Sequence, residues 1–270
     1  MSPSKRQFLA GLVASLGMMA VSLGTAPAQA QAALETILKN KVIKIAVPTD
    51  YPPYGFVGID LKPQGLDIAI AELIAEKLGA KLEMVPVTSA NRIPYVQTKQ
   101  VDLVISTLGK NPEREKVIDF THAYAPFFQA VYAPKSLAIK SFDDLGGKTI
   151  AVAKGAMEEQ ELVKVGPASM DFKRYEDQAA ATSAFVAGQT QVIATSVSNA
   201  GLIIQKNPSL GVEYKLLIKD SPNFIGVAKG EAALRGKVNE IILAAKKDGT
   251  LDKLAQKWLG RPAGDLPLTE

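Results

Sequence analysis

Cysteine is missing from all 270 residues, which excludes disulfides, thiolate metal sites, a cysteine nucleophile and a lipid-modified cysteine at one stroke. Histidine occurs once, as His122, and no Ser-His-Asp set, phosphate-binding loop or metal-ligand spacing is present, so no cofactor is expected. Aromatic residues make up 6% of the chain, and the basic residues scatter among acids without forming a stripe. A nucleic acid backbone would find little to hold it. Beyond the first thirty residues no apolar run is long enough to span a bilayer, which takes roughly 20 residues.

What is present begins with an export segment. Lys5 and Arg6 precede an apolar run from Phe8 to Leu23, and Ala28-Gln29-Ala30 supplies the small-residue cleavage site. Cleavage there predicts a mature chain starting near Gln31. The stretch Ser4-Lys5-Arg6-Gln7-Phe8-Leu9 also approaches the twin-arginine pattern, with Lys5 where the first arginine would stand, so two export routes stay open. Loss of residues 1–30 leaves 29 basic against 27 acidic side chains, a net charge near +2. An exported protein without a lipid anchor needs an enclosed compartment, and the expected location is the periplasm.

The mature chain reads as repeated β-α-β winding. Val42–Val47 predicts a buried strand, Leu66–Leu78 a helix stopped by Gly79, 81–87 a strand, Arg92–Gln97 a short helix, and Leu103-Val104-Ile105 a strand ending at the polar Ser106-Thr107. The register restarts after Tyr124-Ala125-Pro126. Strands are then expected over 130–133, 149–153, near Phe172, over 192–194 and 214–218, with helices over 156–163, 178–186, 197–205, 232–246 and 251–259. The expectation is an α/β protein of two Rossmann-like lobes: 31–125 with 222–270 as the first, and 126–221 as the second. With no Gly/Ser tether between them, the join should be a hinge made of strands.

Ligands of open α/β sheets sit beyond the carboxyl ends of strands. Three such ends offer candidates: Asp50 and Tyr51, then Ser89 and Arg92, then Ser106, Thr107, Gly109 and, past the turn at Pro112, Arg114. Two arginines among hydroxyls suit a carboxylate, because the planar guanidinium donates two parallel charge-assisted bonds, each contributing roughly 1.5–3 kcal/mol. Taken alone, Arg114 between Glu113 and Glu115 can equally be a surface ion pair, and Tyr51-Pro52-Pro53-Tyr54 can equally be a structural turn.

The motifs decide more together. Asp50-Tyr51-Pro52-Pro53-Tyr54, Gly65-Leu66-Asp67, Arg92-Ile93-Pro94, Val101-Asp102-Leu103-Val104-Ile105, Pro112-Glu113-Arg114, Ile118-Asp119-Phe120, Leu145-Gly146-Gly147-Lys148 and Asp248-Gly249-Thr250-Leu251 span nearly the whole mature chain. With them the chain resembles the periplasmic substrate-binding proteins of polar amino-acid ABC importers. The resemblance implies the type II periplasmic binding protein fold with a two-strand hinge, a monomer, a small carboxylate or amino-acid ligand, and an ABC permease in the inner membrane as partner. It further implies that Arg114 clamps the ligand α-carboxylate with Thr107 in support, and that Tyr51 lines the pocket. Ser89 and Arg92 look similar to the pair that holds a side-chain carboxylate in relatives for acidic amino acids, which favours an acidic ligand.

Two departures from that pattern lie in the second lobe. Gly155-Ala156-Met157 stands where the family has a hydroxyl-bearing turn, and Ser196 stands where the family has the aspartate that pairs with the ligand ammonium. Either Asp50, Ser196, Ser198 or Asn199 takes the ammonium, or the ligand is an amine-free carboxylate or dicarboxylate. An enzyme on the same scaffold, of the cyclohexadienyl dehydratase kind, would need an acid in the cleft. Glu158 and Glu159 offer one, although a solvated helix start accounts for both, and His122 is expected to be structural. A sensory ligand-binding subunit is a third reading.

Overall fold

A computed structural model describes residues 32–269; the expected export segment lies outside the described residues. Val42–Val47 pairs in parallel with Lys81–Pro86 on one side and with Leu103–Gly109 on the other. The full order of this first sheet is Lys81–Pro86, Val42–Val47, Leu103–Gly109, Asn223–Ala228, Ile118–Ala125, the last two running antiparallel to their neighbours. A second five-stranded sheet runs Asp171–Tyr175, Thr149–Ala153, Val192–Ser196, Phe128–Pro134, Val212–Asp220, the first three parallel. A small sheet of Asp50–Tyr51, Gly55–Val57 and Pro63–Gln64 sits apart from both.

The chain passes between the two large sheets twice, leaving the first after Ala125 and returning at Asn223. The two crossings lie side by side, since the Ser221 N–H donates to the Phe127 carbonyl at 2.9 Å. This is the two-strand hinge of an α/β type II binding fold.

Apolar periodicity explains the Leu66–Leu78 helix. Leu66, Ile70, Ile74 and Leu78 recur at four-residue spacing and are all buried, so one stripe packs on the sheet. Fully burying each such side chain contributes roughly 1.5–3 kcal/mol. The helix begins at Gly65 for a steric reason: φ there is +133°, and a Cβ would lie 2.3 Å from the Tyr54 carbonyl oxygen. The first sheet shares one core that includes Ile43, Ile45, Leu103 and Ile105; the second is covered on both faces, by clusters around Phe185 and around Leu162.

Five strands escape the sequence pattern: Ile118–Ala125 and Asn223–Ala228, which belong to the first sheet, and the three short strands of the small sheet. The strand expected to end at Ile105 instead continues to Gly109, so Ser106 and Thr107 lie inside it, not beyond it. Pairing with Asn223 and Phe224 supplies the hydrogen bonds that extend it. Among the described residues no helix is long and apolar enough to cross a membrane.

Candidate functional site

The carboxyl ends of the strands finishing at Val47, Pro86 and Gly109 face those finishing at Ala153 and Ser196, and the candidate residues cluster where they meet. Arg92 opens the Arg92–Gln97 helix and is only 3% exposed. Its Nε donates to the Ser89 carbonyl at 3.2 Å, and its Nη1 to the carbonyls of Ser106 at 2.7 Å and Thr107 at 3.0 Å. Burial lowers its pKa, against the pull of Glu158, Asp50 and Asp67 nearby. Thr107 itself has φ +43°, a left-handed conformation unusual for a β-branched residue. That backbone is held from both sides, because its N–H donates to Asp67 Oδ2 at 2.7 Å while its carbonyl accepts from Arg92.

Arg114 projects from the single-turn helix Pro112–Glu115, which Asn111 caps by accepting the Arg114 N–H at 2.9 Å. Its guanidinium donates to the Gly109 carbonyl at 2.9 Å and, across the cleft, to the Gly155 carbonyl at 3.2 Å. A guanidinium carries five donors, so these two bonds leave capacity for a ligand. Burial, with Arg92 beside it, lowers its pKa to about 9.

The second lobe answers with apolar and acidic groups. Met157 is buried, its sulfur 3.6 Å from Asn111 Nδ2, and a Cβ at Gly109 would stand 2.7 Å from its Cε. A side chain at 109 would therefore require the Met157 methyl and the Ser221 hydroxyl to move aside. Glu158 contradicts the expectation of a solvated helix start: it is 3% exposed, and its Oε1 has no hydrogen-bond partner among the described residues. Burial raises its pKa, while Arg92 and Arg114 oppose the rise. Glu159 is engaged with the Gly155 N–H and with Arg174.

Further cross-lobe bonds frame the site. Tyr51 Oη accepts the Ser196 N–H at 2.9 Å and lies 3.1 Å from Thr195 Oγ1, its ring tilted against Tyr54 and edge-on to Phe127. Ser196 caps the Val197–Lys206 helix, its Oγ accepting the Asn199 N–H at 3.1 Å. Asp50 accepts the Gln178 N–H at 2.7 Å, and burial raises its pKa. Asp67, wholly buried, also accepts the Tyr124 hydroxyl at 2.7 Å, and burial raises its pKa to about 7. A cavity of about 610 Å3 opens at the rim, lined in part by Ser89, Ala90, Asn111, Arg114, Gly155 and Gln160.

All eleven residues expected from the sequence thus border the meeting of the two lobes or pack directly behind it. Sequence reasoning passed over Asp67 as a site residue, undervalued Glu158, and missed the hinge amides Gln129 and Asn223, which are buried with side-chain polar atoms unpartnered among the described residues. Gln129 stands opposite Ser196, and Asn223 opposite Gly109. His122 is held by the C-terminal segment, accepting the Thr269 N–H at 2.9 Å. Among the described residues no cluster of acids and histidine could hold a metal.

Two hinged lobes closing on a polar cleft define a solute receptor. The chain belongs to the bacterial extracellular solute-binding proteins, family 3, whose model matches residues 43–261. It is 29% identical over 258 residues to the L-cystine-binding protein TcyJ of Escherichia coli (strain K12), covering 93% of this chain and 96% of that one. Its fold is similar to that of a mutant of ArgBP from T. maritima, with a TM-score of 0.79, 27% identity and coverage of 85% and 100%. It is also similar to an ancestral amino-acid-binding protein, AncCDT-1, described as a precursor of cyclohexadienyl dehydratase, with a TM-score of 0.75, 31% identity and coverage of 84% and 99%.

Proposed function

We propose that this protein is the exported receptor of an ABC importer, capturing an amino acid between its lobes, with acidic amino acids favoured. The first lobe is assigned to 31–125 and 222–270, the second to 126–221. The observation that carries the ligand class is the pair of buried arginines, Arg92 and Arg114, at one interlobe cleft. Two buried guanidinium groups match two carboxylates, and Arg114 reaches both lobes, so a carboxylate on it would favour the closed form by contacts that the open form lacks. Thr107, Ser89 and Tyr51 complete the wall of the first lobe, and Met157 that of the second.

The protein acts as a monomer in the periplasm, hands its ligand to an inner-membrane permease, and binds no nucleic acid. Isothermal titration of the mature protein with the twenty standard amino acids, L-cystine and small dicarboxylates tests the reading. Binding strongest for glutamate or aspartate supports it, and binding of none of these compounds refutes it. A second reading, elimination chemistry on the same scaffold, draws on Glu158 as a buried carboxyl and on the likeness to AncCDT-1. Turnover of prephenate or arogenate by the purified protein would establish it.

A further inference from the structure

An α-amino acid bound through its carboxylate to Arg114 brings an ammonium into the same closed cleft. A buried ammonium without an anionic acceptor is too costly to keep charged, so an acceptor must be found. The carboxylates near the cleft can be taken in turn. Asp67 spends one oxygen on the Thr107 N–H and the other on the Tyr124 hydroxyl, behind the strand. Asp50 is bound to the first N–H of the Gln178–Val186 helix. Glu159 serves the Gly155 N–H and Arg174, and Glu161 serves Lys164 and Lys219.

Glu158 differs from all of these: it is 3% exposed, and although Tyr51 bonds to its side chain, its Oε1 is a buried carboxylate oxygen without a hydrogen-bond partner among the described residues. Its position is also right: it lies three residues after Gly155, whose carbonyl accepts from Arg114. The carboxylate and the ammonium of an α-amino acid hang from one carbon, and here the proposed carboxylate clamp, Arg114, and this acid stand on opposite walls of the cleft, close enough to act on each other electrostatically. We infer that Glu158 is the ammonium acceptor, and hence the residue that separates α-amino acids from amine-free carboxylates. Its neighbours are the two arginines, Arg92 and Arg114, and the Tyr51 hydroxyl. An incoming amino acid exchanges partners with this set, its carboxylate going to the arginines and its ammonium to Glu158.

The inference rests on the amino-acid-capture reading, and the test separates the two. The strongest binder among the twenty standard L-amino acids is titrated against its deaminated counterpart, glutarate in the case of glutamate, with wild type, Glu158→Gln and Glu158→Asp. Wild type is expected to prefer the amino acid by about a hundredfold or more, the loss that follows removal of one member of a buried ion pair. Glu158→Gln should abolish that preference by weakening the amino acid while leaving the deaminated acid bound as tightly or more so. Glu158→Asp, which keeps the charge, should retain part of the preference and guards against a misfolded glutamine variant. An unchanged preference in Glu158→Gln, or a wild type that prefers the deaminated acid, overturns the assignment while capture stands. A wild type that binds no amino acid overturns both.

Discussion

The two walls of the cleft are built on different plans. On the first lobe Arg92 and Asp67 are tied to the backbone at Ser106 and Thr107, and Arg114 to that of Gly109, so the two guanidinium groups are aimed before any ligand arrives. On the second lobe Glu158 presents an unsatisfied oxygen, while Ser196 spends its hydroxyl on capping its own helix. One wall is pre-organised, and the other waits for a partner. Pre-organisation lowers the ordering cost of binding, whereas an unsatisfied buried acid raises the energy of the empty site and lets a matching cation recover it.

Substitutions can break or sharpen this contrast. The largest effect is expected from Arg114→Ala, which should weaken carboxylate ligands by a hundredfold or more in calorimetry while leaving the ligand-free fold largely intact. Retained affinity would show that the clamp lies elsewhere. Arg92→Lys keeps the charge but loses the planar fork that reaches three carbonyls, and should cost about 1–3 kcal/mol of stability. For a chain of this size that is a melting-temperature drop of roughly 3–10 °C, read in the absence of ligand. No change there would mean that the first wall is not self-supporting.

A subtler probe is Asp67. Its folded pKa of about 7 lies above the ordinary aspartate value of 3.8, so between those pH values the native state holds a proton that the unfolded chain has lost. Wild-type stability therefore falls as pH rises from about 4 to about 7, by up to a few kcal/mol at the upper end. Asp67→Asn cannot titrate, and its melting temperature should gain on wild type steadily across that window. A constant difference would rule out burial of the charge as the cause. The smallest effect belongs to Ser196→Ala, which removes a helix cap for about 1 kcal/mol and should reduce affinity by less than tenfold. A larger loss of affinity would move Ser196 from the helix to the ligand.

The site residues of the first wall were the more legible in sequence, although the strands of the second lobe were the better foreseen. Val42–Val47, Leu66–Leu78 and Arg92–Gln97 in the first lobe, and Thr149–Ala153 in the second, fall where apolar spacing and glycine stops put them. Ile118–Ala125 mixes Asp119, Thr121 and His122 into its run, so its alternation is blurred; it is a strand because Asn223–Ala228 pairs with it from a hundred residues away. Glu158 was opaque for a related reason. A glutamate in a first helical turn ordinarily faces water, and here it is buried by groups from the opposite lobe, which no local pattern encodes. Gln129 and Asn223 were hidden likewise, being polar residues whose burial comes from the hinge.

One detail of the cleft carries a cost for the cell. Tyr51 to Ser196, Asp50 to Gln178 and Arg114 to Gly155 are bonds between the lobes that need no solute. Each contributes about 1 kcal/mol, so together they shift the empty protein measurably toward the shut conformation. Shutting more readily makes a receptor greedier at low solute concentration and a poorer messenger, since an empty molecule then looks more like a loaded one to the importer it serves. Where these three contacts set that balance, they trade scavenging power against wasted cycles of transport.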